Sequence, residues 1–438
     1  MSKITRRNFL ITAGATTAAT LLVHGCSSGQ NTSSESNASP AASPVAAIDT
    51  PEVTTAKLGF IALTDSAPLI IAKEKGLFAK YGMPDVEVVK QASWAATRDN
   101  LELGSQGNGI DGAHILTPMP YLMTTGKITQ QPLPMYILAR LNTNGQGISV
   151  ANTYADLKVG TDSSPLKQAF AQAKSQGRDL KAAVTFPGGT HDLWMRYWLA
   201  AGGINPDSDI STIVVPPPQM VANMKVNTME AFCVGEPWNA QLVSQNLGYT
   251  ALVTGELWKD HPEKAFALRA DWVDQHPKAA KALTMAVLEA QQWCDQAENK
   301  AEMCDIISKR EWLKIDAQDI LGRAKGDIDY GTGKTVESSP LLMKFWADNA
   351  SYPFKSHDLW FLTEEIRWGY LPPDTDTTAL VEQVNREDIW REAAQAINVP
   401  ASDIPSSTSR GVETFFDGKT FDPENPEAYL NSLDIKKV

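Results

Sequence analysis

The chain has 438 residues, 39 of them Lys or Arg and 51 Asp or Glu, for a formal net charge of −12. That balance argues against a nucleic-acid partner and against a basic patch that would lie on a membrane, and otherwise favours only solubility. The length suits two domains sharing one chain.

Arg6-Arg7-Asn8-Phe9-Leu10 is the twin-arginine pattern, and an apolar, small-residue run from Ile11 to Val23 leads on to Gly25-Cys26. A basic start, a short apolar core and a small residue before a cut site predict a signal peptide over residues 1–25. The run is too short, and too diluted by Thr and Gly, to span a bilayer well. Ending on Gly-Cys predicts that Cys26 becomes the lipidated first residue of the mature chain, although His24 is an untidy residue two positions ahead of it. Loss of the leader removes Lys3, Arg6 and Arg7 and no acid, so the remainder is more acidic still. Residues 27–50 have no aromatic side chain and only Glu35 and Asp49 as charges. Too little apolar surface is available there to repay ordering. Residues 26–53 are therefore predicted to be an anchor plus a disordered tether, with a reach of about 25–30 Å.

From Thr54 the pattern alternates. Strands are predicted at Lys57–Leu63, Val86–Lys90, Gly109–Leu116, Met135–Leu141 and Ile148–Val150. Between them fall helices at Leu69–Tyr81, Trp94–Leu103 and Pro120–Thr125, with Asp65-Ser66 read as a cap. A second series follows: strands at Leu157–Gly160, Ala182–Phe186, Thr212–Val215 and Glu230–Val234, helices at Leu166–Gln176, Thr190–Ala201 and Met220–Val226. Ala265–Leu268 is a further strand, and His276-Pro277 opens a long helix to about Asp295. This rhythm implies α/β lobes, each a mostly parallel sheet flanked by helices, with a cleft where ligands sit at the carboxyl ends of strands. Residues 54–148 are assigned to the first lobe, 149–248 to the second, and 249–438 to a return into the first lobe with a helical carboxy-terminal extension.

Several segments carry a family likeness. They are Gly59-Phe-Ile-Ala-Leu-Thr-Asp-Ser-Ala-Pro-Leu69, Gln91-Ala-Ser-Trp-Ala-Ala-Thr-Arg-Asp-Asn-Leu101, Gly109-Ile-Asp-Gly-Ala-His-Ile-Leu-Thr-Pro-Met-Pro120, Phe186-Pro-Gly-Gly-Thr-His-Asp-Leu-Trp194 and Cys233-Val-Gly-Glu-Pro-Trp-Asn239. In this order they resemble the nitrate and nitrite receptors of cyanobacterial-type ABC transporters and, slightly less closely, the paralogous bicarbonate receptors. The resemblance implies a two-lobed periplasmic solute-binding fold (type II-like) and no enzymatic activity. It also implies delivery of the anion to a permease and its ATPases from the periplasmic face of the inner membrane, with a lipid anchor.

Nitrate is planar, singly charged, and accepts hydrogen bonds without donating any. Its site needs donors only, with a positive charge, in a partly dry cleft completed from both lobes. Lys264, in His261-Pro-Glu-Lys-Ala-Phe-Ala-Leu268, is the first choice for that charge. A Lys beside a Glu is ordinarily a solvated pair. The resemblance implies a ligand contact instead, because nitrate receptors have Lys here where the bicarbonate receptor has an acid that helps bind calcium. His191 follows Thr190, read as the cap of a helix after Pro187-Gly-Gly189, a strand-to-helix turn of the kind that binds anions. A packing role is equally compatible with the residues alone. Trp94, after Ser93, offers an indole N–H at another such turn, although buried Trp is more often core. Gln146 lies near the crossing between lobes, where a polar hinge is the plainer reading. Glu236 must not face nitrate unpaired, and is expected on the cleft wall near Lys264 or His191, behind the ligand contacts; Thr190 is placed behind them too.

Other motifs carry less. Gly331-Thr-Gly-Lys-Thr335 has the tail of a phosphate loop, but Ile328 stands where the first glycine belongs. No Gly-x-Ser-x-Gly elbow occurs, and the six His residues are too scattered for a metal cluster, so neither metal nor cofactor is expected. Cys294 and Cys304, ten apart, allow a disulfide or two free thiols. The alternative within the class is a bicarbonate receptor using calcium. Outside it stand an enzyme of pyrimidine synthesis on the same lobes, and a receptor-like domain fused to a transporter ATPase.

Overall fold

A computed structural model describes residues 50–437 of the chain. The signal segment 1–25, Cys26 and nearly all of the tether 26–53 lie outside the described residues. Four strands come first: β1 (Thr55–Phe60), β2 (Asp85–Lys90), β3 (Gly112–Leu116) and β4 (Met135–Thr143). The chain then crosses at Asn144-Gly145 into β5 (Gln146–Ala151), β6 (Lys181–Val184), β7 (Ser211–Val214), β8 (Ala231–Gly235) and β9 (Gly248–Val253). It returns through residues 254–261 to β10 (Pro262–Arg269).

Two five-stranded sheets result, ordered β2-β1-β3-β10-β4 and β7-β6-β8-β5-β9. In the first, β1 runs parallel to β2 and β3, while β10 is antiparallel to both its neighbours. In the second, β6 is parallel to β7 and β8, while β5 is antiparallel to β8 and β9. Each sheet therefore owes its one reversed strand to a crossing of the chain. Every residue of β3, β5 and β8 is buried, as expected for strands covered on both faces. No helix among the described residues is long and apolar enough to cross a membrane.

The carboxy-terminal extension binds to both lobes. Arg323 of the helix Ala317–Lys325 donates to Glu236 at 2.7 Å and to Thr250 at 2.8 Å. Asp358 of the helix Lys355–Arg367 pairs with Arg140 on β4. Phe415 packs edge-on to Trp258, with ring centroids 5.3 Å apart.

Three local expectations change. The helix expected over 69–81 divides into Ala67–Glu74 and Leu77–Lys80. The segment Leu157–Gly160 is not a strand: a 3-10 turn, Asn152–Leu157, ends at Lys158 in a left-handed conformation (φ 48°). β9 has no counterpart in the sequence reading, and it extends the second sheet to Val253. The Gly331–Thr335 segment closes a hairpin between Ile328–Asp329 and Thr335–Val336. Cys233, Cys294 and Cys304 are free and buried, and burial pushes the Cys304 thiol up to about 11.

Candidate functional site

The four predicted ligand contacts converge between the sheets, and each reaches that point through the end of a strand or a crossing. Lys264 lies on β10, with its ammonium fully buried. Adjacent residues of a regular strand face opposite ways. Here the ladder between β10 and β4 slips on both sides of Lys264. Bulges of this kind re-aim side chains, and Glu263 and Lys264 both turn inward. Lys264 Nζ lies 3.0 Å from Glu263 Oε1 and 3.0 Å from Asp65 Oδ2.

Gln146 opens β5 directly after the crossing, opposite Gly235 in the ladder. Its amide nitrogen donates to Asp65 Oδ2 at 3.1 Å, which turns its oxygen toward His191 Nε2 at 2.6 Å. That geometry puts the imidazole proton on Nε2 and leaves Nδ1 to accept from Thr185 Oγ1 at 2.6 Å. A Cβ on Gly235 would stand 2.8 Å from the Gln146 oxygen and 3.3 Å from Asp65 Oδ2, so only glycine leaves this network its room.

His191 sits in the first turn of the helix Thr190–Ala201. Thr190 is not its cap: Gly189 holds that position without a side-chain bond, and the Thr190 hydroxyl donates to Glu263 Oε1. Trp194, one turn on, donates to Glu263 Oε2 at 3.0 Å. Trp94 begins the helix Trp94–Leu103, which Ser93 caps by accepting from Ala96 N–H at 3.1 Å. The Trp94 indole is fully buried, 5.4 Å from the His114 ring, and its N–H has no partner among the protein groups. Lys264 Nζ lies 5.9 Å from the same indole. An unanswered buried donor costs about 1–3 kcal/mol, and Trp94 shares that condition with other buried groups, Trp360 Nε1 and the Tyr121 hydroxyl among them.

Electrostatics follows from burial and pairing. Burial alone would raise the Asp65 carboxyl, but the Lys264 ammonium and then His114, 2.6 Å away, hold it well below the usual range. Burial would lower Lys264, and Asp65 and Glu263 overcome it and raise the ammonium. For Glu263 burial prevails, and its carboxyl is raised despite Lys264, Thr190 and Trp194. Burial, with Lys264 as the nearby cation, drives His191 well below its ordinary value. His261 falls to about 3, chiefly from burial. These imidazoles are therefore neutral near pH 7 in the structure.

Glu236 departs from expectation. Its carboxylate pairs with Arg323 and accepts from Ala240 N–H at 3.2 Å, rather than serving Lys264 or His191. Its backbone does join the lobes, the carbonyl accepting from Thr64 N–H at 2.8 Å. Trp238 Nε1 adds a bond to the Ala62 carbonyl at 3.1 Å. Asp65, read from sequence as a cap, has no cap bond and belongs to the centre, as do Glu263, His114 and Trp194. The adjacency of Glu263 to Lys264 was the one available signal, and regular strand alternation argues against it. Among the described residues no group of His, Cys, Asp and Glu is arranged to hold a metal ion.

Two α/β lobes packed on a buried polar centre define a solute-binding receptor of the periplasmic binding-protein class. The model of the NMT1-like family matches residues 49–308. The chain is 67% identical over 444 residues to the nitrate/nitrite binding protein NrtA of Synechocystis sp., covering 100% of this chain and 99% of that one. It is 46% identical over 445 residues to the bicarbonate-binding protein CmpA of Synechococcus elongatus, covering 99% of each. The crystal structure of the periplasmic nitrate-binding protein NrtA from Synechocystis superposes with a TM-score of 0.87 at 71% identity, covering 88% of this chain and 100% of that one. The chain belongs to the NMT1-like family and, within it, to the family of these nitrate/nitrite binding proteins.

Proposed function

We propose that this protein is the receptor of an ABC importer, capturing nitrate, and nitrite with it, between its lobes and passing the ion to a membrane permease and its ATPases. The observation that carries this reading is the buried Trp94 N–H without an acceptor, beside the Lys264 ammonium. A planar ion with three acceptor oxygens answers both groups at once. Gln146, with its second amide N–H and held in place by His191, completes the ring from the second lobe, so the ion is held only when the lobes meet. Thr190 acts behind them by holding Glu263, and Glu236 by holding the hinge through Arg323. No bond is made or broken in the ion, and neither cofactor nor metal takes part.

Lys264 weighs against the bicarbonate-and-calcium alternative, because a second cation beside a buried ammonium is repelled strongly at short range. The twin-arginine leader and Cys26 support export and a lipid anchor on the periplasmic face of the inner membrane, with the acidic tether between anchor and lobes. The sheet assignment supports two lobes, the first built from residues 54–143 and the return through β10, the second from residues 146–253. Calorimetry tests the ligand: nitrate should bind without added metal. No heat with nitrate, and bicarbonate binding only when calcium is present, would overturn the reading.

A further inference from the structure

The centre holds more negative charge than an anion site should. With the imidazoles neutral, one ammonium, Lys264, faces two carboxylates, Asp65 and Glu263, each 3.0 Å from its nitrogen. All three side chains are wholly buried. Admitting a monovalent anion to this arrangement would add a second uncompensated negative charge in a dry space. Groups able to take a proton lie on every side: Asp65 Oδ1 is 2.6 Å from His114 Nε2, and Glu263 is 3.7 Å from His261 Nδ1 and, across the lobes, 3.8 Å from His191 Nε2.

Resting on the nitrate reading above, we propose that Glu263 is a specificity-determining residue: the site admits a monovalent anion together with one proton, held by the Glu263–His191 pair (on Glu263 or, since Nε2 already carries a proton, on His191 Nδ1), and refuses a divalent anion. The proton does two things. It cancels the surplus charge, and on Glu263 Oε1 it removes the acceptor that competes for a Lys264 N–H, freeing that donor for the ion. The atoms balance simply: anion and proton enter from solvent and leave together.

The surroundings favour this pair over its neighbours. Asp65 is fixed as a carboxylate by Lys264 on β10 and His114 on β3, and accepts from Gln146 on β5 as well. His261, before β10, lies 3.7 Å from Glu263 Oε2, and its Nδ1 faces the Pro262 carbonyl at 3.1 Å. Cys233 on β8 is buried with its thiol pushed well up, partly by Glu263, so it carries no charge. Glu263 alone among the carboxylates of the centre is already raised by burial, and an anion beside it raises it further.

Calorimetry on the full chain with sodium nitrate, from pH 6 to 9 and in buffers of different ionisation enthalpy, tests this. Nitrate stays an anion throughout, so any pH dependence belongs to the protein. Affinity should be highest at low pH and weaken toward about tenfold per pH unit above the free pair's pKa, with the buffer series reporting uptake approaching one proton. Glu263→Gln, which mimics the protonated acid, should still bind nitrate while losing the pH slope; if the slope survives there and is lost in His191→Asn, the proton sits on the other member of the same pair. Sulfate should neither bind nor compete. A pH-independent affinity with buffer-independent heat overturns the proposal and leaves nitrate recognition standing, as does a slope unchanged in both variants. Absence of nitrate heat at every pH overturns both.

Discussion

The two reversed strands, β5 and β10, occupy matching places in their sheets and do different work. β5 pairs with β8 in unbroken register at its entry and delivers a neutral amide, Gln146. β10 is bulged at its entry and delivers a charged pair, Glu263 and Lys264, to one side. The first lobe thus supplies the charge, through Lys264 and Asp65. The second supplies neutral groups, Gln146, His191, Thr190 and Trp194, which come to rest on that charge when the lobes meet. The second lobe thus brings no further charge to the buried centre, whose surplus carboxylate belongs to the first.

The sharpest way to break this division is to reverse its charge. Lys264→Glu would place three carboxylates together. Nitrate binding should disappear, and the fold should lose about 3–5 kcal/mol, the scale for a buried pair left unmatched. Thermal denaturation would show it, and an unshifted Tm together with unchanged affinity would remove Lys264 from the centre. Next in size is Asp65→Asn, which deprives Lys264, His114 and Gln146 of one acceptor. Because the folded Asp65 carboxyl is depressed, its stabilisation is present above the unfolded value of about 4 and is lost as pH falls through the folded value. The variant should therefore be less stable at pH 7 and lose less than wild type between pH 5 and 2, as measured by urea denaturation.

On the neutral side the effects should be smaller. Gln146→Leu should weaken nitrate by roughly 10–100-fold, the range for leaving hydrogen-bonded neighbours unmet, with Asp65 and His191 the groups deprived. Trp94→Phe deletes the N–H and leaves a void where the larger indole was buried. It should cost the unliganded protein about 1–3 kcal/mol for that void, and nitrate affinity up to about tenfold besides, because the ion loses a donor. A loss of stability with nitrate affinity unchanged would instead make Trp94 a packing residue.

The sequence made the alternation of elements legible, because strand and helix periods depend on neighbouring residues. It located Trp94 and His191 at strand-to-helix turns, Gln146 near the crossing between lobes and Lys264 just ahead of a strand for the same reason, with the family likeness supplying their roles; Lys264 lies inside that strand. What stayed hidden depends on distant partners. Asp65 follows a strand and precedes a helix, as a capping residue does, and only the approach of Lys264 and His114 makes it an ion-pair partner. Glu263 required the bulge in β10, which no local pattern announces. Glu236 was drawn away from the centre by Arg323, a residue of the extension that comes 87 positions later in the chain. β9 went unread, and its place at the sheet edge beside β5 is a matter of topology.

Diffraction from crystals grown with nitrate tests the central claim most directly. Trigonal density between the sheets, with oxygens in hydrogen-bond reach of Lys264 Nζ and Trp94 Nε1, is the expected result. Nitrate bound elsewhere with that indole N–H still unanswered, or a metal ion beside residue 264, would contradict it.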